Sequence, residues 1–122
     1  MANNYIKGEV NPRTWTNGGA AVSSGDPVVI GAMLCIALGD IAGGATGEVA
    51  TTGVFELAKA DAAVIAQGEF VTWDSSASNF DDASATPATG DVTLGAVADE
   101  GKGATTGETI RVELVGHPGT LA

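Results

Sequence analysis

"GKGATTGETIRVEL" occupies residues 101–114, and the fold turns on how its first half is interpreted. A Gly-Lys-Gly followed by two threonines invites a phosphate-cradling loop, which would make the chain a nucleotide enzyme. Such a loop needs Gly, four residues, then Gly-Lys and Ser or Thr, so that backbone N–H groups wrap the phosphates while the hydroxyl holds magnesium. Here the leading position is Ala96, and Lys102 is followed by Gly103. A phosphate loop also runs into a helix N-terminus. This one runs instead into Ile110, Val112 and Leu114 alternating with Arg111 and Glu113, the period of a half-buried strand. The stretch reads as a glycine-rich hairpin turn feeding a strand.

On the N-terminal side of the turn, "VTLGAVADE" reads as the partner strand and "EFVTWD" as another, with Val71 and Trp73 on one face and Phe70 and Thr72 on the other. "GDPVVIG" and "AMLCIALGD" are near-continuously apolar over short lengths, which fits strands buried on both faces, with Gly31 as a bend between them. "EVATTGVFEL" gives two short strands around Thr52-Gly53, or one bulged strand, with Phe55 and Leu57 facing inward. "AKADAAVIAQG" is the one candidate helix, capped by Asp61 and ended by Gly68. "DSSASNFDDASATPATGD" reads as a long polar loop pinned by Phe80.

Short strands at this spacing, without the long helices that parallel crossovers need, predict an all-β, mainly antiparallel fold. The expected architecture is a small β-barrel or sandwich with at most one short helix. Residues 1–26 are polar and turn-rich, with isolated apolar anchors at Tyr5, Ile6, Val10 and Trp15, and read as an extended N-terminal arm. Residues 27–116 form the barrel-like core domain and 117–122 a C-terminal tail.

Composition narrows the function. The 122 residues suffice for one modest core. Fifteen acidic residues against five basic ones give a formal net charge of −10, which repels nucleic acid, because DNA binding needs clustered Lys and Arg. No nucleic-acid partner is expected. The apolar run around Cys35 is too short to span a bilayer, and "MANNYIKGEV" lacks the basic start and apolar centre of a secretory signal. A lone cysteine cannot form an internal disulfide, which suits synthesis in a reducing cytoplasm. Flanked by Leu34 and Ile36, Cys35 is expected to be a buried, inert thiol.

Catalytic chemistry finds little to work with. The single histidine, His117, lies in the tail beside Pro118, and structural zinc needs several Cys or His ligands. Asp81, Asp82 and Asp91 share one loop, a conceivable calcium site, but without the alternating acids and final Glu of an EF-hand. The expectation is no enzyme activity, no cofactor and no metal.

The order of elements carries more information than any single motif. Tyr5-Ile6 in an arm, "SGDPVVIGAM", "GEVATTGVFELAKA", "AQGEFVTWD" with Phe80 following, and "LGAVADEGKGATTGETIRVEL" together resemble the capsid decoration, or cement, proteins of bacteriophages. The similarity runs over about residues 5–115. It implies a compact β-rich fold and a non-enzymatic protein, made in the host bacterial cytoplasm, that binds the outer surface of the assembled head in many copies, often as trimers. Its partner would be the major capsid protein, with Tyr5, Ile6, Val10 and Trp15 as candidate capsid or inter-subunit contacts. Trp15 is either such a contact or a plug for the chain's own core. "MLCIAL" is bulkier than the resemblance leads one to expect, and "NPRTWTNGG" adds an aromatic to the arm. The alternative is a β-sandwich recognition module, such as a fibre or surface carbohydrate-binding domain, which would stack sugars on exposed aromatics.

Overall fold

The computed structural model describes residues 2–122. Its strands are β1 (Tyr5–Lys7), β2 (Pro12–Thr16), β3 (Pro27–Ile30), β4 (Met33–Ala37), β5 (Thr46–Ala50), β6 (Thr52–Ala58), β7 (Phe70–Asp74), β8 (Asn79–Asp81), β9 (Val92–Ala98), β10 (Thr109–Val115) and β11 (Thr120–Leu121). The glycine-rich stretch does join two paired strands, β9 and β10, with Val112 opposite Ala98 and Leu114 opposite Ala96. Ile110, Val112 and Leu114 are buried while Thr109, Arg111 and Glu113 are exposed, as the alternation requires. Lys102 offers nothing to a phosphate. Its ammonium lies 3.8 Å from Glu100 and 3.9 Å from Glu108, and its backbone pairs with that of Ile65.

All the strand pairings are antiparallel, and they form two sheets. The larger runs β1-β6-β10-β9-β7-β8, with β11 also on β9, and the smaller runs β2-β5-β4-β3. The larger sheet curls into a half-barrel: just past β6, Ala60 donates to the Phe80 carbonyl of β8 at 2.8 Å, so the chain leaving β6 reaches across to the β8 edge. The fold is all-β, as expected.

Strand β4 of the smaller sheet is buried on both sides, which is why its sequence is so continuously apolar. Leu34 and Ile36 of β4 point into the main core with Phe55, Phe80, Val92 and Val112. Met33, Cys35 and Ala37 point the other way, into a second cluster with Val28, Ile41 and Val49. Each fully buried large apolar side chain contributes about 1.5–3 kcal/mol relative to exposure. Gly31, with φ +61°, opens the two-residue turn that brings Ile30 opposite Met33.

The chain crosses between the sheets at two adjoining places. One crossing is the segment between β1 and β2; the other is Thr51, between β5 and β6. "EVATTGVFEL" is therefore two strands, one in each sheet. The crossings are sewn together: Thr51 donates its N–H to the Val10 carbonyl (2.9 Å) and its hydroxyl to that of Asn11 (2.8 Å), and the Thr52 hydroxyl donates to Glu9 (2.6 Å).

Three sequence expectations need correction or refinement. First, "AKADAAVIAQG" is not a helix: it forms turns linked by single bridges at Lys59 and Ile65. Ala63 and Ile65 are buried around an exposed Val64, a spacing of two, and a two-turn helix could not offset its nucleation cost. The buried Lys59 ammonium fixes the first turn by donating to the carbonyls of Ala60 (2.6 Å) and Ala63 (2.9 Å). Asp61 caps no helix, and accepts the Gly107 N–H instead (3.0 Å). Second, the long polar loop contains β8, which pairs with β7 around a fully buried Phe80. Third, residues 117–122 include β11 on β9, and Gly119 allows that approach, since a Cβ there would sit 2.3 Å from the Thr93 carbonyl oxygen. Residues 2–26 hold two strands, both paired: β1 with β6, and β2 with β5.

Candidate contact surface

The structure does not gather the four candidate contact residues into one patch. Tyr5 stands opposite Phe55, edge-on to its ring at 5.7 Å between centroids, and its hydroxyl donates to the Gly8 carbonyl. Val10 also packs against the main core, and with the Phe55 ring it crowds Gly53. Ile6, between them in sequence, is half-buried. Trp15 lies elsewhere, half-buried on the outer face of the smaller sheet against the second cluster. It stands opposite Gly47, over which Ile41 also folds; a Cβ at Gly47 would come within 2.6 Å of Ile41 Cγ1. Trp15 thus serves the chain's own core while keeping part of its ring accessible.

Strand β2 is an outermost strand of its sheet. Asn17, next in line, donates its N–H to Ala45 (2.9 Å), and antiparallel alternation then assigns Arg13 and Trp15 to bonding with β5. Pro12, Thr14 and Thr16 turn their backbone groups to the open edge. Pro12 fits there because its missing N–H would face away from the ladder. On one face of β2, Thr14 donates to Glu48 (2.9 Å) and Thr16 bonds Thr46 (3.0 Å); Arg13 and Trp15 occupy the other.

Other exposed large apolar residues are Val64, Phe70, Leu94 and Leu121. Phe70 was legible as facing away from Val71 and Trp73, whereas Leu94 owes its exposure to a positive φ of 61° in the middle of β9, which no local motif announces. An open groove of about 440 Å³ runs beside β6, lined by Asn3, Asn4, Asp26, Leu57, Trp73 and Ser78 among others.

Groups that chemistry would use are already engaged. Asp91 is buried and accepts from the N–H and hydroxyl of Ser75 and from the Ala88 N–H, while Asp82 takes the N–H and hydroxyl of Ser84. With Asp81 accepting from Asp82 N–H, the three acids of the loop do not converge, and among the described residues no group of three His, Cys, Asp or Glu could hold a metal. Burial pushes the Cys35 thiol up to about 11, with nearby Arg13 opposing the shift, so the thiolate that would react is suppressed. Trp73 is only 6% exposed and Phe55 and Phe80 are enclosed, so half of the six aromatics that a sugar platform would use are in the core.

The described residues thus form a small all-β body with an open edge along β2 and a half-buried Trp15 beside it. The chain belongs to the phage cement protein family, which matches it over residues 8–114. No curated protein and no solved structure matches it significantly. Membership ties the chain to the phage capsid in a structural role, and the family is a structural rather than an enzymatic one.

Proposed function

We propose that this protein is a non-enzymatic cement that binds the outer surface of the assembled head in many copies, as trimers on the major capsid protein, and holds the shell against internal pressure. The observation that carries the reading is the family match across residues 8–114. A ligand that binds the assembled shell and not its free subunits stabilises the shell by mass action. A trimer gains further, because its second and third contacts are intramolecular. A net charge of −10 keeps such a protein soluble at high concentration in the host cytoplasm before it docks.

The contacts in this reading come from the N-terminal stretch, with Tyr5, Ile6, Val10 and Trp15 supplying apolar surface and the open edge of β2 accepting a strand of the partner. Deleting residues 2–15 would remove β1 and most of β2 from their sheets, so point variants make the better test. Purified protein is mixed with undecorated heads, and co-sedimentation and the heads' disruption temperature are followed. Saturable binding with a raised disruption temperature is the expected result. Thr14→Pro, which removes an N–H from the open edge and leaves the backbone bonds to β5 in place while giving up the exposed Thr14 hydroxyl bond to Glu48, is expected to keep the fold and lose the binding. Unsaturable or absent binding by the wild type would sink the cement reading, and full binding by Thr14→Pro would remove the edge from it.

A further inference from the structure

Arg13 is the one lysine or arginine, among the described residues, that the fold leaves without a partner. Lys7 lies 3.5 Å from Asp99, Lys102 reaches Glu100 and Glu108, and Arg111 lies 3.6 Å from Glu56. Lys59 is spent on the Ala60 and Ala63 carbonyls. In a chain with fifteen carboxylates and five cations, an exposed guanidinium with no acid beside it runs against the odds.

Its placement explains the isolation. Arg13 stands opposite Val49 on the outer face of the smaller sheet, two residues from Trp15 and on the same side of β2. The one carboxylate of β5, Glu48, projects to the opposite face, where Thr14 holds it at 2.9 Å. The neighbours on Arg13's own face are apolar: Val28, Met33, Cys35 and Val49. Its charge is felt at the Cys35 thiol, in keeping with the side it occupies.

We infer that Arg13 and Trp15 form a single docking point for a carboxylate-bearing segment of the capsid protein. The guanidinium fork takes the carboxylate through two N–H donors, a geometry that lysine cannot reproduce. The accessible part of the Trp15 ring covers the apolar side chain beside that carboxylate; Trp and Arg are the residue types that most often dominate interface energetics. A second copy of this chain is the other source of carboxylates; a contact at this point sets a net charge of −10 against another −10, so the capsid protein is the better occupant here, and the trimer contacts proposed above lie elsewhere. The inference rests on the cement function proposed above and names the partner chemistry at one of its contacts.

The test compares full-length wild type, Arg13→Glu, Arg13→Lys and, as a cation-removing control away from β2, Lys102→Gln. Each is checked for an unchanged Tm, then titrated onto undecorated heads at low and raised salt, and run alone in sedimentation velocity. Arg13→Glu is expected to weaken binding about tenfold or more and to flatten its salt dependence, with Arg13→Lys intermediate and Lys102→Gln like wild type. If wild type binds and Arg13→Glu binds equally well, the docking point is wrong while the cement function stands. Failure of the wild type to bind overturns both. A change of oligomeric state in Arg13→Glu without heads would assign the carboxylate to a second copy and overturn the capsid assignment.

Discussion

Asp74 shows how a chain with no disulfide holds its turns. Its carboxylate accepts the hydroxyl and N–H of Ser76 and the N–H of Ala77, closing the reversal between β7 and β8. The Ser76 hydroxyl first, then the Ala77 N–H, hold its pKa below the ordinary 3.8, against the opposing effect of burial and with the Ser76 N–H adding to them. A folded value below the unfolded one means that the stabilisation is present above the ordinary carboxylate range and is lost as pH falls through the folded value. Asp74→Ala is therefore expected to lower Tm near neutral pH and to approach wild type well below pH 3.8, read as the difference between two melting curves across a pH series. A difference that stays constant with pH would assign the loss to chain geometry and not to the charged hydrogen bonds.

Among the strands, β9 carries a visible irregularity. Leu94 holds φ at +61°, a conformation that costs an L-residue with a bulky side chain on the order of 1–2 kcal/mol, and it returns little of that through burial, being 46% exposed. Leu94→Gly is expected to raise stability by up to about 1 kcal/mol, the gain from relieved strain being partly offset by the greater freedom of glycine in the unfolded chain. Urea denaturation measures it, and a destabilised variant would show that Leu94 packs more than its exposure suggests. Strands such as "FVTWD" and "TIRVEL" were legible because their alternation leaves no helical solution. "AKADAAVIAQG" misled because alanine satisfies both periods; the deciding facts are the long-range bridges of Lys59 and Ile65, whose partners, Phe80 and Lys102, lie outside the segment. The last strand was hidden for a like reason, since Thr120 and Leu121 pair only because Gly119 can approach Thr93. In the contact surface, Trp15 stood out as an aromatic in a polar stretch. Arg13 did not, because its isolation depends on where every other cation finds its partner.

Across the full chain, the two sheets share one core through Leu34 and Ile36. Ile36→Ala is expected to cost about 2–5 kcal/mol and, although the residue belongs to the smaller sheet, to destabilise both together. Trp15 reports on one sheet and Trp73 on the other, so single-tryptophan variants followed by fluorescence should unfold in coincident transitions; separate midpoints would show that the sheets melt independently. The paired crossings at residues 8–11 and Thr51 have a mechanical meaning as well. A tug along β2 is carried first by its ladder with β5, five residue pairs long and loaded in shear, and then by the stitches from Thr51 and Thr52 to Glu9, Val10 and Asn11. Bonds loaded together resist rupture better than bonds peeled one after another. Any partner that pulled on β2 would therefore meet a rivet that shares the strain across both sheets and does not unzip from its end.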